Sequence, residues 1–122
     1  MNSRAKGKRG EVEAALLLTQ LGLRARRAVE FCCFDGEGDL ITNVDGVHFE
    51  VKFSERLNPY AYMQQAKRDS EAKQRRQRRS VKPCVMMRSS HRKWLVCIEA
   101  NDLWEVIDAF IQARTTVQQA DA

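Results

Sequence analysis

The chain reads as an α/β fold, a central mixed β-sheet flanked by helices, with elements in the order α-β-β-β-α-β-β-α. Three observations predict it. Apolar residues recur at helical spacing in 7–21 and again in 102–114, whereas short β-branched and aromatic runs occupy 25–34, 39–44, 47–54, 84–88 and 94–98. A long polar stretch, 60–79, separates the first three of those runs from the last two. The dipeptide Asp45-Gly46 lies between two alternating runs, the strongest short-range signal for a hairpin.

Each element has a local reason. Residues 7–21 (GKRGEVEAALLLTQL) form a helix that Gly22 stops. The run ARRAVEFCCF (25–34) is a strand and DGEG a turn. DLITNV (39–44) and VHFEVKFS (47–54) are the arms of the hairpin. Asn58-Pro59 opens the polar helix over 60–79, and Pro83 closes the basic run that ends it. CVMMR (84–88) and WLVCI (94–98) are two strands around SSHRK. Asn101 is placed to cap a last amphipathic helix, DLWEVIDAFIQAR, and residues 115–122 are expected to fray.

The 122 residues suit a single domain spanning 1–122 with one core. No window is long and apolar enough to span a membrane, and the charged N-terminus MNSRAKGKRGE lacks a signal-like cleavage region, so the cytoplasm is the expected location. Cys32, Cys33, Cys84 and Cys97 have no zinc-binding spacing and lie in strand-like runs, as buried reduced thiols do. The charge is uneven. Within a chain of net +5, residues 67–82 carry eight Lys/Arg against Asp69 and Glu71, while from Glu99 onward five acids face Arg114 alone. Clustered bases in a chain of pI 9.3 point to a polyanionic partner, nucleic acid before membrane.

A two-residue loop at Asp45-Gly46 sets a register. Asp39 then falls opposite Lys52, Ile41 opposite Glu50 and Asn43 opposite His48, so Asp39, Glu50 and Lys52 share one face of the hairpin. Leu40, Thr42, Val44, Val47, Phe49 and Val51 take the other, which is the core side. Asp39 and Glu50 become diagonal neighbours with Cβ atoms roughly 7–8 Å apart. Two carboxylates converging from there can hold a hard cation, Mg²⁺ or Mn²⁺, and Lys52 brings a positive charge to the same place. Such a set suits phosphodiester hydrolysis. Glu-x-Lys is common by itself; the shared face gives it meaning.

The first helix offers two acids. Glu11 shares the stripe of Ala14, Ala15 and Leu18, whereas Glu13 points about 200° away and is expected to be solvated. An acid on a packed stripe needs a partner, so Glu11 joins the candidate site. Lys6, Lys8 and Arg9 precede it, Arg26 and Arg27 follow the helix, and Lys73, Arg75, Arg76 and Arg79 lie toward the end of the polar helix; all are candidate phosphate contacts. His48 shares the face of Glu50, as a general base, a DNA contact or a bystander. His91, in a turn, is given no catalytic part.

At these residues the chain resembles the PD-(D/E)xK nuclease superfamily, within it the archaeal-type and phage Holliday-junction resolvases. The resemblance runs over 6–98 and is carried by Lys6-Gly7…Glu11, by Asp39, and by Glu50-Val51-Lys52. Gly38 stands where the motif often has proline, and DGEG gives no clear version of the resolvases' serine-containing loop. The resemblance implies a restriction-endonuclease-like core and a Mg²⁺-dependent endodeoxyribonuclease with Asp39, Glu50 and Glu11 as metal ligands and Lys52 as the charge-stabilising group. It also implies Gln65 as a helical glutamine that orients water or contacts DNA, and a homodimer that nicks a four-way junction on two strands. A different nuclease of the same superfamily, acting as a nickase or on forks or ends, and a non-catalytic DNA-binding module are the alternatives. Trp94, Trp104 and Phe110 read as core more readily than as the dimer face.

Overall fold

Helix α1 spans Ser3–Gln20 and buries one stripe, Ala14, Ala15 and Leu18. It ends where the sequence puts a stop. Gly22 takes φ +99°, the Gly22 amide donates to Thr19 O (3.1 Å) and the Leu23 amide to Leu18 O (3.1 Å). That pair of bonds is the Schellman arrangement, and Leu18 and Leu23, both buried, supply its apolar contact. The computed structural model of the chain describes residues 3–28 and 40–121, with side chains from Ala5 onward. The later part of the strand expected over 25–34, the DGEG turn, Cys32, Cys33 and Asp39 lie outside the described residues.

Strand β1 (Ala25–Arg27) pairs antiparallel with β2 (Leu40–Thr42) in the register Ala25↔Thr42. Strand β3 (Val47–Phe53) pairs along its full length with β4 (Lys82–Arg88), in parallel, and β4 pairs antiparallel with β5 (Leu95–Cys97). The sheet β3-β4-β5 is therefore mixed, as expected. A parallel pair needs a crossover, and helix α2 (Pro59–Gln77) provides it. Asn58 caps α2 by accepting from the Ala61 amide (3.3 Å), with Pro59 in the first turn where its missing N–H costs nothing.

Period-two alternation divides β3 and β4 between two layers. Phe49, Val51, Cys84 and Met86 pack with Ala14 and Leu18 of α1 and with Val106 and Ala113 of helix α3 (Leu103–Ala120). Phe110 of α3 meets Phe49 edge-on at 5.8 Å between centroids. On the other face Val85 and Met87 pack with Met63 and Ala66 of α2. Cys84 and Cys97 are free thiols; burial pushes Cys84 up to about 12, so it is inert, while Cys97 is only half-buried.

Three expectations are corrected. Among the described residues β2 builds its ladder with β1 and not with β3, so the cross-hairpin register of Ile41 with Glu50 and Asn43 with His48 is absent. The turn explains it. Gly46 has φ +79° and the Val47 amide reaches Val44 O at 3.4 Å, but Asp45 is not in the left-handed region, which gives a type II pattern. Type II turns splay the flanking strands, whereas the tight hairpin needs both central residues at positive φ. Asn43 instead accepts from the Arg24 amide (3.0 Å) and donates to Ala113 O (3.2 Å).

The second correction concerns the cap of α3. A 3₁₀ turn, Ala100–Asp102, precedes the helix, and Asp102 rather than Asn101 occupies the cap position without a side-chain capping bond. Its carboxylate faces Lys82 Nζ at 3.7 Å. The third is the tail: α3 continues to Ala120, because Thr-Thr-Val-Gln-Gln-Ala contains no glycine or proline to break it.

The C-cap of α2 is Arg78 at φ +55°, a conformation that suits glycine. Arg78→Gly should raise stability by about 0.5–1 kcal/mol, read as a higher urea midpoint at unchanged m-value. An unchanged or lower midpoint would show that the left-handed cap is not strained.

Candidate functional site

The second face of β3 is polar and roofed. His48, Glu50 and Lys52 alternate with Val47, Phe49 and Val51, and the parallel crossover lays α2 over them. His48 is fully buried and Glu50 is 2% exposed, so both left water on folding and need partners. His48 Nε2 lies 3.0 Å from Glu50 Oε1 and 4.0 Å from Asp69 Oδ2 of α2. When Glu50 is ionised it only accepts, and Nε2 is then the donor in this contact. His48 Nδ1 is buried without a hydrogen-bond partner. One turn of α2 back from Asp69, Gln65 Oε1 accepts from Lys52 Nζ at 2.9 Å, and the Lys52 ammonium also lies 5.6 Å from the Tyr62 ring. Tyr62, Gln65 and Asp69 fall on one helical stripe, spaced three and four residues apart, and that stripe covers the polar row.

The structure thus brings Glu50, Lys52 and Gln65 to one layer interface, along with His48 and Asp69. Asp69 was missed by sequence reading, although its place four residues after Gln65 was a usable signal. His48, treated as open between three roles, is bonded to Glu50. Asp39 lies outside the described residues. Glu11 sits on the packed side of α1, as its periodicity predicts, but its Oε2 accepts from Arg27 Nε of β1 (3.2 Å), and it is not in the group formed by His48, Glu50 and Asp69. Glu13 is not simply solvated. Arg88 Nη2 (2.7 Å) and Arg9 Nε (3.0 Å) both donate to it. Burial alone would raise its pKa; the hydrogen bonds from Arg88 and Arg9 outweigh that and hold the carboxyl below its ordinary value.

The candidate phosphate contacts divide into two sets. Lys6 is bridged to Glu55 (3.0 Å), Arg9 to Glu13 and Arg27 to Glu11. Lys6, Arg9 and Arg88 also crowd the Phe53 ring, with Arg88 closest at 4.0 Å. These cations knit α1 to the end of the sheet. Lys8, Arg26, Arg75, Arg76 and Arg79 are exposed, whereas Lys73 is half-buried near His48. Lys73, Gln77 and Arg79 line a cavity of about 140 Å³ beside the Asp45-Gly46 turn. Trp94 and Phe110 pack on the core, but Trp104 is 73% exposed, close in sequence to exposed Leu95, Val96 and Leu103.

No protein-family model matches the chain, and no curated protein matches it. A search of solved structures found the 1.6 Å structure of Hjc from Archaeoglobus fulgidus, a Holliday junction resolvase. Its identity to this chain is 18%, its TM-score 0.53, and the match covers 76% of this chain and 72% of that one. The chain therefore has the restriction-endonuclease-like fold expected from its sequence.

Burial, and then the nearby charge of Lys73, lower the pKa of His48 to about 4, against the opposing pull of Asp69. The unfolded chain, with an ordinary histidine near 6.5, binds the proton first. The contribution of His48 to stability is thus present above pH about 6.5 and is lost as pH falls toward 4. In EDTA, the urea midpoint should fall across that window more steeply for the wild type than for His48→Gln. Parallel curves would remove the buried neutral imidazole from the account.

Proposed function

We propose that this chain is a divalent-metal-dependent endodeoxyribonuclease that acts in the cytoplasm as a homodimer and resolves four-way DNA junctions. The observation that carries the reading is the ordered pair Glu50 and Lys52 on β3, with Lys52 held by Gln65, within a fold similar to that of a Holliday junction resolvase. The residues fit a divalent cation. Glu50 is a carboxylate withdrawn from water, with a second carboxylate and an imidazole nearby, a donor set that attracts positive charge. Glu50 and Asp39 would hold the cation, Mg²⁺ or Mn²⁺, with Glu11 as a third acidic candidate tethered by Arg27. When bound, the metal supplies Lewis acidity toward a phosphoryl oxygen and acidifies a water ligand.

The chain's own residues do the positioning. Gln65 takes one of the three Lys52 N–H donors and fixes the direction of the ammonium, leaving two for the charge that develops on a phosphoryl oxygen. The exposed bases Arg75, Arg76 and Arg79 at the end of α2, with Lys8 and Arg26, offer sequence-independent phosphate contacts. Lys6, Arg9 and Arg27 serve less directly, by holding the acids and α1 in place. A four-way junction has two-fold symmetry, and a symmetric dimer presents two identical sites to it. The exposed apolar side chains Trp104, Leu103, Leu95 and Val96 give such a dimer a surface to bury.

A synthetic four-way junction should be nicked in Mg²⁺ or Mn²⁺, more readily than linear duplex, and left intact in EDTA. Asp39→Asn and Lys52→Ala should each slow cleavage on the order of 100-fold or more while junction binding persists. Folded protein that cuts no DNA in any metal would overturn the enzyme reading, and preferential cutting of linear duplex would overturn the junction reading.

Phosphate contact by α2 has its own signature. In the double variant Arg75→Ala, Arg76→Ala, the slope of log K against log salt should flatten by about 2, roughly 0.9 per lost contact, with cleavage of bound junction unchanged. An unchanged slope would make this run a solvated helix face.

A further inference from the structure

We propose that His48, Glu50 and Asp69 form a cation site of their own, selective for a borderline transition metal of the Zn²⁺ class and separate in two of its ligands from the all-oxygen site of the nuclease reading. The proposal goes beyond that reading and does not require it, although Glu50 would be common to both.

The geometry is nearly assembled. One ligand atom from each of the three residues lies within 4.8 Å of the others, with Nε2 3.0 Å from Glu50 Oε1 and 4.0 Å from Asp69 Oδ2. A cation with ligand bonds of ~2.1 Å separates adjacent donors by roughly 3.0–3.4 Å, between the octahedral and tetrahedral limits. The His48–Glu50 spacing already falls in that range, and Asp69 would need to approach His48 by roughly 0.6–1 Å. Asp69 can do so, because its side chain is 37% exposed, whereas those of His48 (0%) and Glu50 (3%) are locked between β3 and α2. Two fixed donors and one adjustable, partly exposed donor make up the set.

His48 supplies the second, independent observation. It is fully buried on the face of β3 that it shares with Glu50 and Lys52, and its Nδ1 has no hydrogen-bond partner. Nothing anchors the ring through Nδ1, so that nitrogen can carry the imidazole proton while the Nε2 lone pair, which faces two carboxylates, binds a cation. An imidazole placed only for packing would be better replaced by an apolar side chain of similar size. One nitrogen and two carboxylate oxygens favour Zn²⁺ and its neighbours over Mg²⁺, which prefers six oxygens. Lys73 lies close enough to act on the imidazole, so its charge also bears on the site. The thiol of Cys84 is buried within the opposite layer and is not part of the set.

The test is metal binding by the full chain, read without DNA. Zn²⁺ titrated calorimetrically into EDTA-stripped, reduced protein should bind at one equivalent per chain, and Co²⁺ at the same site should give visible d–d absorption without a near-ultraviolet thiolate band. Asp69→Asn, at a partly exposed helix position, should weaken Zn²⁺ binding at least about tenfold with its circular dichroism and melting unchanged. His48→Gln should do the same; if it fails to fold, Asp69→Asn decides alone. Asp39→Asn should keep Zn²⁺ affinity within about twofold while losing cleavage, which separates this site from the nuclease site. Wild-type affinity in Asp69→Asn, loss of binding in Asp39→Asn, or a thiolate band with Co²⁺ would each overturn the proposal.

Discussion

The parallel pairing of β3 with β4 is the constraint on which the rest depends. Two parallel neighbours cannot be joined by a tight turn, so the chain must leave the sheet, and α2 is the return path. That return covers the face of β3 that carries His48, Glu50 and Lys52. Without α2 the row would be an ordinary solvated strand face. Beneath it, each polar group has to find a partner or carry a penalty of a few kcal/mol. The helix meets this with Gln65 opposite Lys52 and Asp69 beside His48, while His48 and Glu50 satisfy each other along the strand.

Much of this was legible in the sequence because it follows from local chemistry. Gly22 ends α1 through a backbone conformation that only glycine adopts easily, and Asn58-Pro59 starts α2 through a cap and a fixed φ. The alternation along 47–53 correctly assigned Val47, Phe49 and Val51 to the core. The helical periodicity of α1 put Glu11 on the packed side. These signals are read within a turn or a strand, where neighbours in sequence are neighbours in space.

What was not legible depended on distant partners or on a subtle choice of backbone. Asp45-Gly46 is compatible with a tight hairpin and with a type II turn, and the two differ by the sign of φ at one residue. The type II choice leaves β2 free to pair with β1. Glu13 seemed a solvated acid because Arg88, which clamps it, is 75 residues away. Asp69 counts in the sequence only as an acid within a basic run, since its role appears only when α2 is laid across β3. The same blindness made Lys6, Arg9 and Arg27 look like free cations when each holds an acid. Their pairing shifts the weight of any phosphate contact toward the exposed end of α2.

The site and the fold cannot be separated at this interface. Gln65 and Asp69 are one helical turn apart, so they leave or reach the polar row together; rotating α2 by one residue, about 100°, would unseat both. The same rotation would withdraw Met63 and Ala66 from Val85 and Met87. Apolar packing therefore fixes the helix phase, and that phase aims the Lys52 ammonium and sets Asp69 over His48. In this arrangement the precision of the polar row comes from the apolar contacts beside it, because a buried Ala66 and a fully buried Val85 tolerate little displacement. A substitution in that small apolar cluster would disturb the site without touching it, and through geometry rather than charge.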